Sequence, residues 1–202
     1  MIIPEYCRVM RIMREFPKEK LIEGVEKLDI RKDVEDNLRK NKIKVDEIRM
    51  REVGFNKIFD SDLKLRIFEY AASGGKEFFL QFVNKENILF GLLRLRIFED
   101  LHSPSEANNK RAERDKNEVL GFRNKIAIVR ELHVYGQAIN LGEKSKTASQ
   151  HKGLGKLLMK KAEEIAKQNG IKKISVISGV GVREYYRNLG YELEGSYMVK
   201  NI

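Results

Sequence analysis

The chain has 202 residues, of which 42% are hydrophobic and 35% are charged, with a formal net charge of +10. This composition excludes a disordered tail, and no apolar run approaches the ~20 residues needed to cross a bilayer, so no membrane partner is expected. The excess of positive charge indicates either a phosphate-bearing partner or a well-solvated, lysine-rich surface.

Residues 1–56 mix short apolar groups with dense charge and predict a small helical extension. Pro17, followed by Lys-Glu-Lys, is typical of a helix start. Further on, Ile30, Val34 and Leu38 fall on one helical stripe. The pattern therefore predicts two short helices with basic outer faces.

Three strand-like segments follow, at 63–72, 76–84 and 87–99, rich in aromatic and branched residues. Turn residues at 73–75 and 84–87 separate them at hairpin-like intervals, which predicts an antiparallel meander. The next segment, 99–121, is polar and almost without apolar periodicity, so we expect a mobile insertion there. It either contacts a partner or is an inert surface loop.

The second half alternates strands and helices. Residues 125–136 are apolar on both parities, which predicts a central strand buried on both faces. A helix from Leu154 ends at Asn169-Gly170 and carries a buried stripe formed by Leu154, Leu157, Leu158, Ala162, Ile165 and Ala166. A strand at 172–180, a short helix at 182–190 and one last strand at 191–199 complete the prediction.

Gly153 and Gly155 stand on the first turn of that predicted helix, where each glycine costs about 1 kcal/mol against alanine. Free N–H groups at a helix start favour an anion, and bare backbone allows close approach. The fragment is therefore either a pyrophosphate cradle or an ordinary loop, and alone it does not decide between them.

Two motifs in the second half of the chain resemble those of a known enzyme family. Gln150-His151-Lys152-Gly153-Leu154-Gly155 has the form of the pyrophosphate loop of the GNAT acetyltransferases, and 185–191, YYRNLGY, has the form of their later tyrosine signature. The order of predicted elements also resembles that family. The resemblance implies an α/β GNAT fold, a mixed twisted sheet flanked by helices, with the small helical extension at the N-terminus.

The stretches RELHVYG, ISGVGVREYYRNLGY and YMVK, with RIMREFP and MREVGFN upstream, resemble the acetyltransferase domain of the Elongator catalytic subunits. The resemblance implies that 1–56 is a segment following a radical-SAM domain and that 57–202 is the GNAT domain. S-adenosylmethionine and an iron–sulfur cluster would belong to that missing domain. Cys7 is the only cysteine, so neither a disulfide nor a cysteine-rich metal site is expected within this chain.

In GNAT proteins the cofactor is acetyl-CoA, and the resemblance carries its site onto three sets of residues. The pantetheine arm would pair with the backbone of Glu131, Leu132, His133 and Val134. The pyrophosphate would meet the amides of Gly153, Leu154, Gly155 and Lys156. The third set is Gln150 and Lys152 of the loop, with Lys156, of which the two lysines would add positive charge beside the pyrophosphate.

The resemblance also assigns catalytic candidates. Tyr186 would be the general acid for the departing thiol, while Tyr185 would pack on the cofactor. The reverse assignment, and a purely structural role for both rings, stay open. His133 shares a strand parity with Glu131 and is either a base or proton relay, or a hydrogen-bonded core histidine.

The acceptor implied by the resemblance is tRNA, in carboxymethyl-type modification of wobble uridine 34. The cations expected to contact its phosphates are Arg31, Lys32, Arg39, Lys40, Lys42, Lys44, Arg49 and Arg51. Two alternatives are an ordinary GNAT enzyme acting on a lysine or small amine, and a non-catalytic RNA-binding module. A cytoplasmic location is expected, as is association with accessory Elongator subunits or a second copy.

Overall fold

A computed structural model describes residues 3–10, 12, 18–20, 22–24, 29–56, 62–98, 125–136 and 153–202. Several sequence predictions lie outside these ranges: the polar insertion 99–121, the helix start at Pro17, and the loop residues Gln150 and Lys152.

Among the described residues, every helix but one is short. They are α1 (Ile30–Lys40), α2 (Ile48–Arg51), α3 (Val53–Asn56), α4 (Leu154–Gln168) and α5 (Arg183–Arg187), with 3-10 turns at Lys18–Lys20 and Val180–Val182. The helix predicted around Ile30 is confirmed as α1, whose first turn is capped by the Asp29 carboxylate. The sequence did not indicate α2 and α3. In the part of the chain that the structure describes, no helix has the length and apolar character to cross a membrane.

In the part of the chain that the structure describes, seven strands form one mixed sheet. They are β1 (Lys64–Ala72), β2 (Gly75–Val83), β3 (Leu89–Phe98), β4 (Ile126–Val134), β5 (Lys173–Val176), β6 (Glu192–Glu194) and β7 (Tyr197–Asn201). The spatial order is β1-β2-β3-β4-β5-β7-β6. The β4–β5 pair is parallel and every other neighbouring pair is antiparallel. The predicted meander of the first three strands is confirmed.

The prediction of one last strand at 191–199 is wrong. Residues 192–201 form a hairpin of β6 and β7, with the turn at Gly195 and Ser196. Gly195 has φ +56°, a conformation that glycine adopts without strain. The chain therefore reverses where the apolar pattern alone favoured continuing.

One face of the sheet is covered by α4, which packs across β2, β3 and β4. Its buried residues include Leu158, Met159 and Ala162, which join the larger apolar core. The predicted stripe is right except at Leu157, which is 53% exposed. Leu157 lies outside the buried face because that face is centred on Gly155, Leu158 and Ala162, and Met159 is buried instead.

The N-terminal segment, defined here as residues 3–10 and 29–56, covers part of the opposite face. Its Ile48 is completely buried against Phe79, Leu89 and Leu92 in a second apolar core. Polar contacts reinforce this packing, since the amide of Ile48 donates to the carbonyl of Cys7 at 2.9 Å. The backbone carbonyl of Cys7 therefore helps to hold Ile48 in place.

Arg51, also in this segment, is buried against the sheet. Its guanidinium donates to the side chain of Gln81 at 2.8 Å and to the backbone carbonyl of Glu5 at 2.7 Å. Burial lowers the pKa of Arg51, and the nearby Glu5 and Asp46 oppose that shift. This arginine ties the segment to the sheet.

Ile48 offers a test of this packing. Ile48→Ala removes a completely buried side chain, and we expect it to lower the free energy of unfolding by about 2–4 kcal/mol. Ile43→Ala makes the same chemical change at a residue that is 52% exposed, and we expect an effect within about 0.5 kcal/mol. Urea unfolding of both variants measures the difference, and equal effects would contradict the docked position of the segment.

Candidate active site

Strand β4 loses its parallel neighbour halfway along. It pairs with β5 at three positions, Ala127 with Ile174 through Val129 with Val176, and a last bond joins the amide of Ile177 to the carbonyl of Val129 at 3.0 Å. Beyond this point the described residues show no pairing between β4 and the chain that follows β5. The side chains of Arg130, Glu131, His133 and Val134 are exposed. The prediction that this strand is buried on both faces is therefore wrong: in its first half Ala127 and Val129 are buried, but Ile126 and Ile128 on the other face are only half-buried.

A bulge lies at the same place. Against β3, Glu131 pairs with Arg94 and Val129 pairs with Leu95, so Arg130 has no opposite residue. Such an extra residue bends the strand and increases its local twist. The bulge therefore coincides with the end of the β4–β5 pairing and changes the direction of the β4 residues that follow.

The N-terminus of α4 lies beside this free edge. Gly153 is the N-cap residue, with φ +103° and no side-chain cap. The first helical bond runs from the amide of Leu157 to the carbonyl of Gly153, at 3.0 Å. The amides of Leu154, Gly155 and Lys156 therefore have no acceptor within the helix, and the helix dipole favours an anion there.

The two glycines of the first turn are required for different reasons. A Cβ at Gly153 would meet no atom within 4 Å, so only its positive φ favours glycine. A Cβ at Gly155 would lie 2.7 Å from the hydroxyl of Tyr185 and 3.5 Å from a methyl of Val134. Gly155 thus allows α4, β4 and Tyr185 to meet.

The two adjacent tyrosines have different environments. Tyr185 is 39% exposed, whereas Tyr186 is 5% exposed and belongs to the core. Their rings meet edge to face with centroids 5.2 Å apart. Burial raises the pKa of both phenols, and the neighbouring Tyr185 adds to the rise in the pKa of Tyr186. Both therefore hold their protons at neutral pH.

Tyr186 packs against Tyr191, which is itself held by a hydrogen bond to α4. Tyr186 meets Tyr191 edge to face at 6.1 Å, and the hydroxyl of Tyr191 donates to Glu163 of α4 at 2.9 Å. Lys200 of β7 donates to the same carboxylate oxygen at 3.0 Å. Burial, and then the charge of Glu163, raise the pKa of Tyr191. These contacts fix α5 and β7 against α4.

Glu131 and His133 project away from this tyrosine pair. Glu131 accepts from Arg94 at 3.0 Å, and Arg94 also donates to the backbone carbonyl of Tyr6, so this side chain faces the N-terminal segment. Leu132, between them, packs into the core on the α4 side. His133 is exposed. The structure therefore brings Val134 to Tyr185 but does not bring His133 there.

Tyr135, next after β4, is an unpredicted link to the N-terminal segment. Its hydroxyl accepts from Arg8, which also pairs with Glu52 at 2.6 Å. Burial, and then the charge of Glu52, raise the pKa of Tyr135 to about 12. This contact anchors the end of the free edge.

The eight cations predicted to meet RNA divide into two groups. Arg51 is buried, and Arg31 and Arg49 pair with Glu35 at 2.5 and 3.4 Å. Burial of Arg51 corrects its assignment to an RNA surface, whereas Arg31 and Arg49, with 14% and 40% of their side chains exposed, stay predictions. The exposed members are Lys32, Arg39, Lys40, Lys42 and Lys44.

Comparisons with known proteins agree with this architecture. A model of the acetyltransferase (GNAT) family matches residues 145–191. The chain is 40% identical over 205 residues to Elongator complex protein 3 of Schizosaccharomyces pombe, covering 98% of this chain and 35% of that protein. It is 39% identical over 207 residues to the tRNA uridine(34) acetyltransferase of Dehalococcoides mccartyi, covering 100% of this chain and 42% of the relative.

A solved structure is similar over the same range. The archaeal Elp3 of Methanocaldococcus infernus superimposes with a TM-score of 0.74 at 38% identity, covering 100% of this chain and 46% of that one. The chain thus spans a third to a half of the length of these relatives.

The seven-stranded sheet, opened between β4 and β5 beside the N-terminus of α4, is the fold of the GNAT acetyltransferases. Over its whole length, the chain is homologous to the C-terminal part of Elongator complex protein 3 and of tRNA uridine(34) acetyltransferase. The sequence prediction of this fold and of this resemblance is confirmed.

The contact between Gly155 and Tyr185 can be tested chemically. Gly155→Ala would place a methyl group 2.7 Å from the Tyr185 hydroxyl, so we expect the ring to swing outward. Acylation by N-acetylimidazole, read by peptide mass spectrometry, is then expected to rise several-fold at Tyr185 and to stay low at buried Tyr186. Gly179→Ala is the control, because a Cβ there meets nothing within 4 Å. Equal labelling of Tyr185 in both variants would contradict the contact.

Proposed function

We propose that the chain binds acetyl-CoA along the free edge of β4 and at the N-terminus of α4. The observation that carries this proposal is the meeting of three features at one place: an unpaired strand edge, uncapped helix amides, and the half-exposed phenol of Tyr185. An extended amide-bearing arm complements a strand edge, and a diphosphate complements a helix N-terminus. The residues present therefore fit this cofactor.

The roles of the individual groups follow from their positions. The backbone from Glu131 to Val134 would pair with the pantetheine arm. The amides of Leu154, Gly155 and Lys156 would bind the diphosphate, and the exposed side chain of Lys156 adds a positive charge there. Gln150 and Lys152, outside the described residues, stay predictions for the same group. Acetyl-CoA would supply an activated acetyl thioester.

We assign the proton-bearing role to Tyr185, which exchanges the roles that the sequence favoured. Tyr185 is 39% exposed and its hydroxyl lies at the first turn of α4, whereas Tyr186 lies in the core. Burial raises the pKa of Tyr185, so the phenol is better suited to donate a hydrogen bond to a departing sulfur than to give up its proton completely. Tyr186 would then hold Tyr185 in place.

The acceptor is proposed from the relatives. A homologue is named tRNA uridine(34) acetyltransferase, and the exposed lysines of the N-terminal segment fit contact with phosphates. We therefore propose that the chain is the acetyltransferase part of a protein that modifies wobble uridine. The radical-SAM domain, its S-adenosylmethionine and iron–sulfur cluster, and the accessory Elongator subunits stay predictions for the larger protein.

The diphosphate assignment is tested by a matched pair on α4. Lys156→Gln removes an exposed charge at the N-terminus, and we expect it to weaken acetyl-CoA binding by roughly three- to tenfold in calorimetry. Lys167→Gln removes an exposed charge in the last turn of the same helix and is expected to leave affinity unchanged. Acetyl-pantetheine, which lacks the diphosphate, is expected to bind far more weakly. Failure of acetyl-CoA to bind well-folded protein would refute the proposal.

The role of Tyr185 is tested by thiol release from acetyl-CoA, measured with and without tRNA. Tyr185→Phe is expected to lower the tRNA-dependent rate about 100-fold with acetyl-CoA affinity retained, as for the loss of one hydrogen-bond donor to a developing negative charge. Tyr186→Phe, which changes only the hydroxyl of a core ring, is expected to stay within a few-fold of wild type. The reverse order would restore Tyr186 as donor. Rapid turnover of a lysine peptide without tRNA would instead favour an ordinary GNAT enzyme.

A further inference from the structure

A small groove opens on the face opposite α4, where β5 leaves β4. It has a volume of about 250 Å³ and is lined by Arg96, Phe98, Ile128, Arg130 and Ile177. It is smaller than the roughly 300–1,000 Å³ typical of sites for drug-sized ligands, so it suits a single flat ring. The bulge residue Arg130 and the last β4-bonded residue, Ile177, both line it, so the groove lies at the opening of the sheet.

Behind the groove, one buried carboxylate holds two arginines. Glu77 of β2 has 3% of its side chain exposed, and a single oxygen, Oε1, accepts from Arg96 at 3.0 Å and from Arg130 at 2.7 Å. Arg96 is fixed further by the carbonyls of Ala72 and Ser73 at 3.0 and 2.8 Å. The second carboxylate oxygen of Glu77 is buried and has no hydrogen-bond partner among the described residues.

This arrangement has an excess of positive charge. Two guanidinium groups face one carboxylate, so the cluster carries a net positive charge that an anion would compensate. Arg96 has 14% of its side chain exposed and is held by three acceptors, whereas Arg130 has 47% exposed. Arg130 is therefore the member of the pair that can turn toward a ligand while Glu77 keeps it at the groove.

The walls add a second chemical preference. Phe98 presents an aromatic ring, over which the guanidinium of Arg96 lies at 4.7 Å from the centroid, and Ile128 and Ile177 are apolar. Aromatic and guanidinium faces stack on nucleobases with little regard to sequence. A nucleotide offers both groups that this groove would bind, a flat aromatic base and a negatively charged phosphate beside it.

We propose that this groove binds one nucleotide of the single-stranded RNA acceptor. Its base would pack against Phe98, Ile128 and Ile177, and Arg130, positioned by Glu77, would bind the adjoining phosphate. This inference rests on the proposed function, because it places an acceptor nucleotide at the sheet opening where the acetyl group would arrive. Neither Glu77 nor Arg130 is required for binding acetyl-CoA in that proposal.

A matched pair of arginine variants tests the groove. The probe is 5′-phosphorylated tetrauridylate carrying a 3′ fluorophore, and anisotropy titrations of the whole chain are run at constant ionic strength with saturating acetyl-CoA. Arg130→Gln is expected to weaken binding about tenfold, as for loss of a hydrogen bond to a charged group. Arg66→Gln is the control: its side chain is 43% exposed and paired with Glu5, and we expect a change below about twofold.

The Glu77→Gln variant distinguishes a site in which Glu77 positions Arg130 from a surface that attracts RNA only by its positive charge. The change removes one negative charge, so simple charge attraction predicts tighter binding of the RNA, whereas loss of the carboxylate that positions Arg130 predicts weaker binding. We expect weaker binding, and tighter binding would overturn the proposal. If Glu77→Gln does not fold, Arg130→Lys provides the same test, because it keeps the positive charge but loses the planar guanidinium with its paired donors. Full retention of RNA affinity by Arg130→Lys would contradict a positioned contact between Arg130 and the phosphate.

Acetyl-CoA titrations on the same preparations keep the two proposals apart. If acetyl-CoA binds normally and Arg130→Gln behaves like Arg66→Gln toward tetrauridylate, the groove assignment fails and the proposed function stands. If wild type does not bind acetyl-CoA, the proposed function itself fails. Competition by hexaglutamate as strong as by unlabelled tetrauridylate would overturn the choice of a nucleotide as occupant.

Discussion

The fold depends on one interruption of hydrogen bonding. A strand inside a sheet normally has both edges paired, yet β4 pairs with β5 at only three positions before the two chains separate. Unpaired backbone groups that are shielded from water are costly, so this opening persists because the surroundings hold it. The bulge at Arg130 bends β4, and the bond from Ile177 to Val129 ends the ladder.

Contacts on both faces hold the opening in shape. On one face, the glycine at 155 lets the Tyr185 hydroxyl lie against the first turn of α4, which brings the free edge, the helix amides and a phenol together. The network of Tyr191, Glu163 and Lys200 keeps α5 and β7 against this helix. On the other face, Arg8 and Glu52 fix Tyr135 at the end of β4. The site is therefore built between two cores and not within either one.

The sequence predicted the elements whose signals are local. The meander β1–β3, helix α1 and helix α4 follow from apolar period, and the αL stop at Gly170, with φ +75°, follows from residue type. The family motifs located Gly153, Gly155 and the tyrosine pair. Their spacing could not reveal that Gly155 is needed for a contact with Tyr185, because that contact joins residues 30 positions apart.

Features that depend on long-range pairing were missed for the same reason. The bulge at Arg130 is a mismatch between two strands, and no pattern within one strand encodes it. Arg51 has the composition of a surface residue, and only the docking of the N-terminal segment on Gln81 shows that it is buried. The sequence predicts one strand at 191–199 because the apolar pattern continues on both sides of Gly195, and the reversal shows only in the pairing of Glu194 with Tyr197. The roles of the acetyl-CoA residues and the RNA surface remain proposals.

The open edge of β4 also bears on solubility. Exposed strand edges recruit other strands, and proteins commonly protect them with charged side chains or irregular backbone. Here the bulged Arg130 and the adjacent Glu131 occupy the first exposed positions of the edge. The same features that leave β4 available to a small extended molecule therefore discourage it from annealing to a neighbouring polypeptide, so selective access and resistance to aggregation arise from one local arrangement.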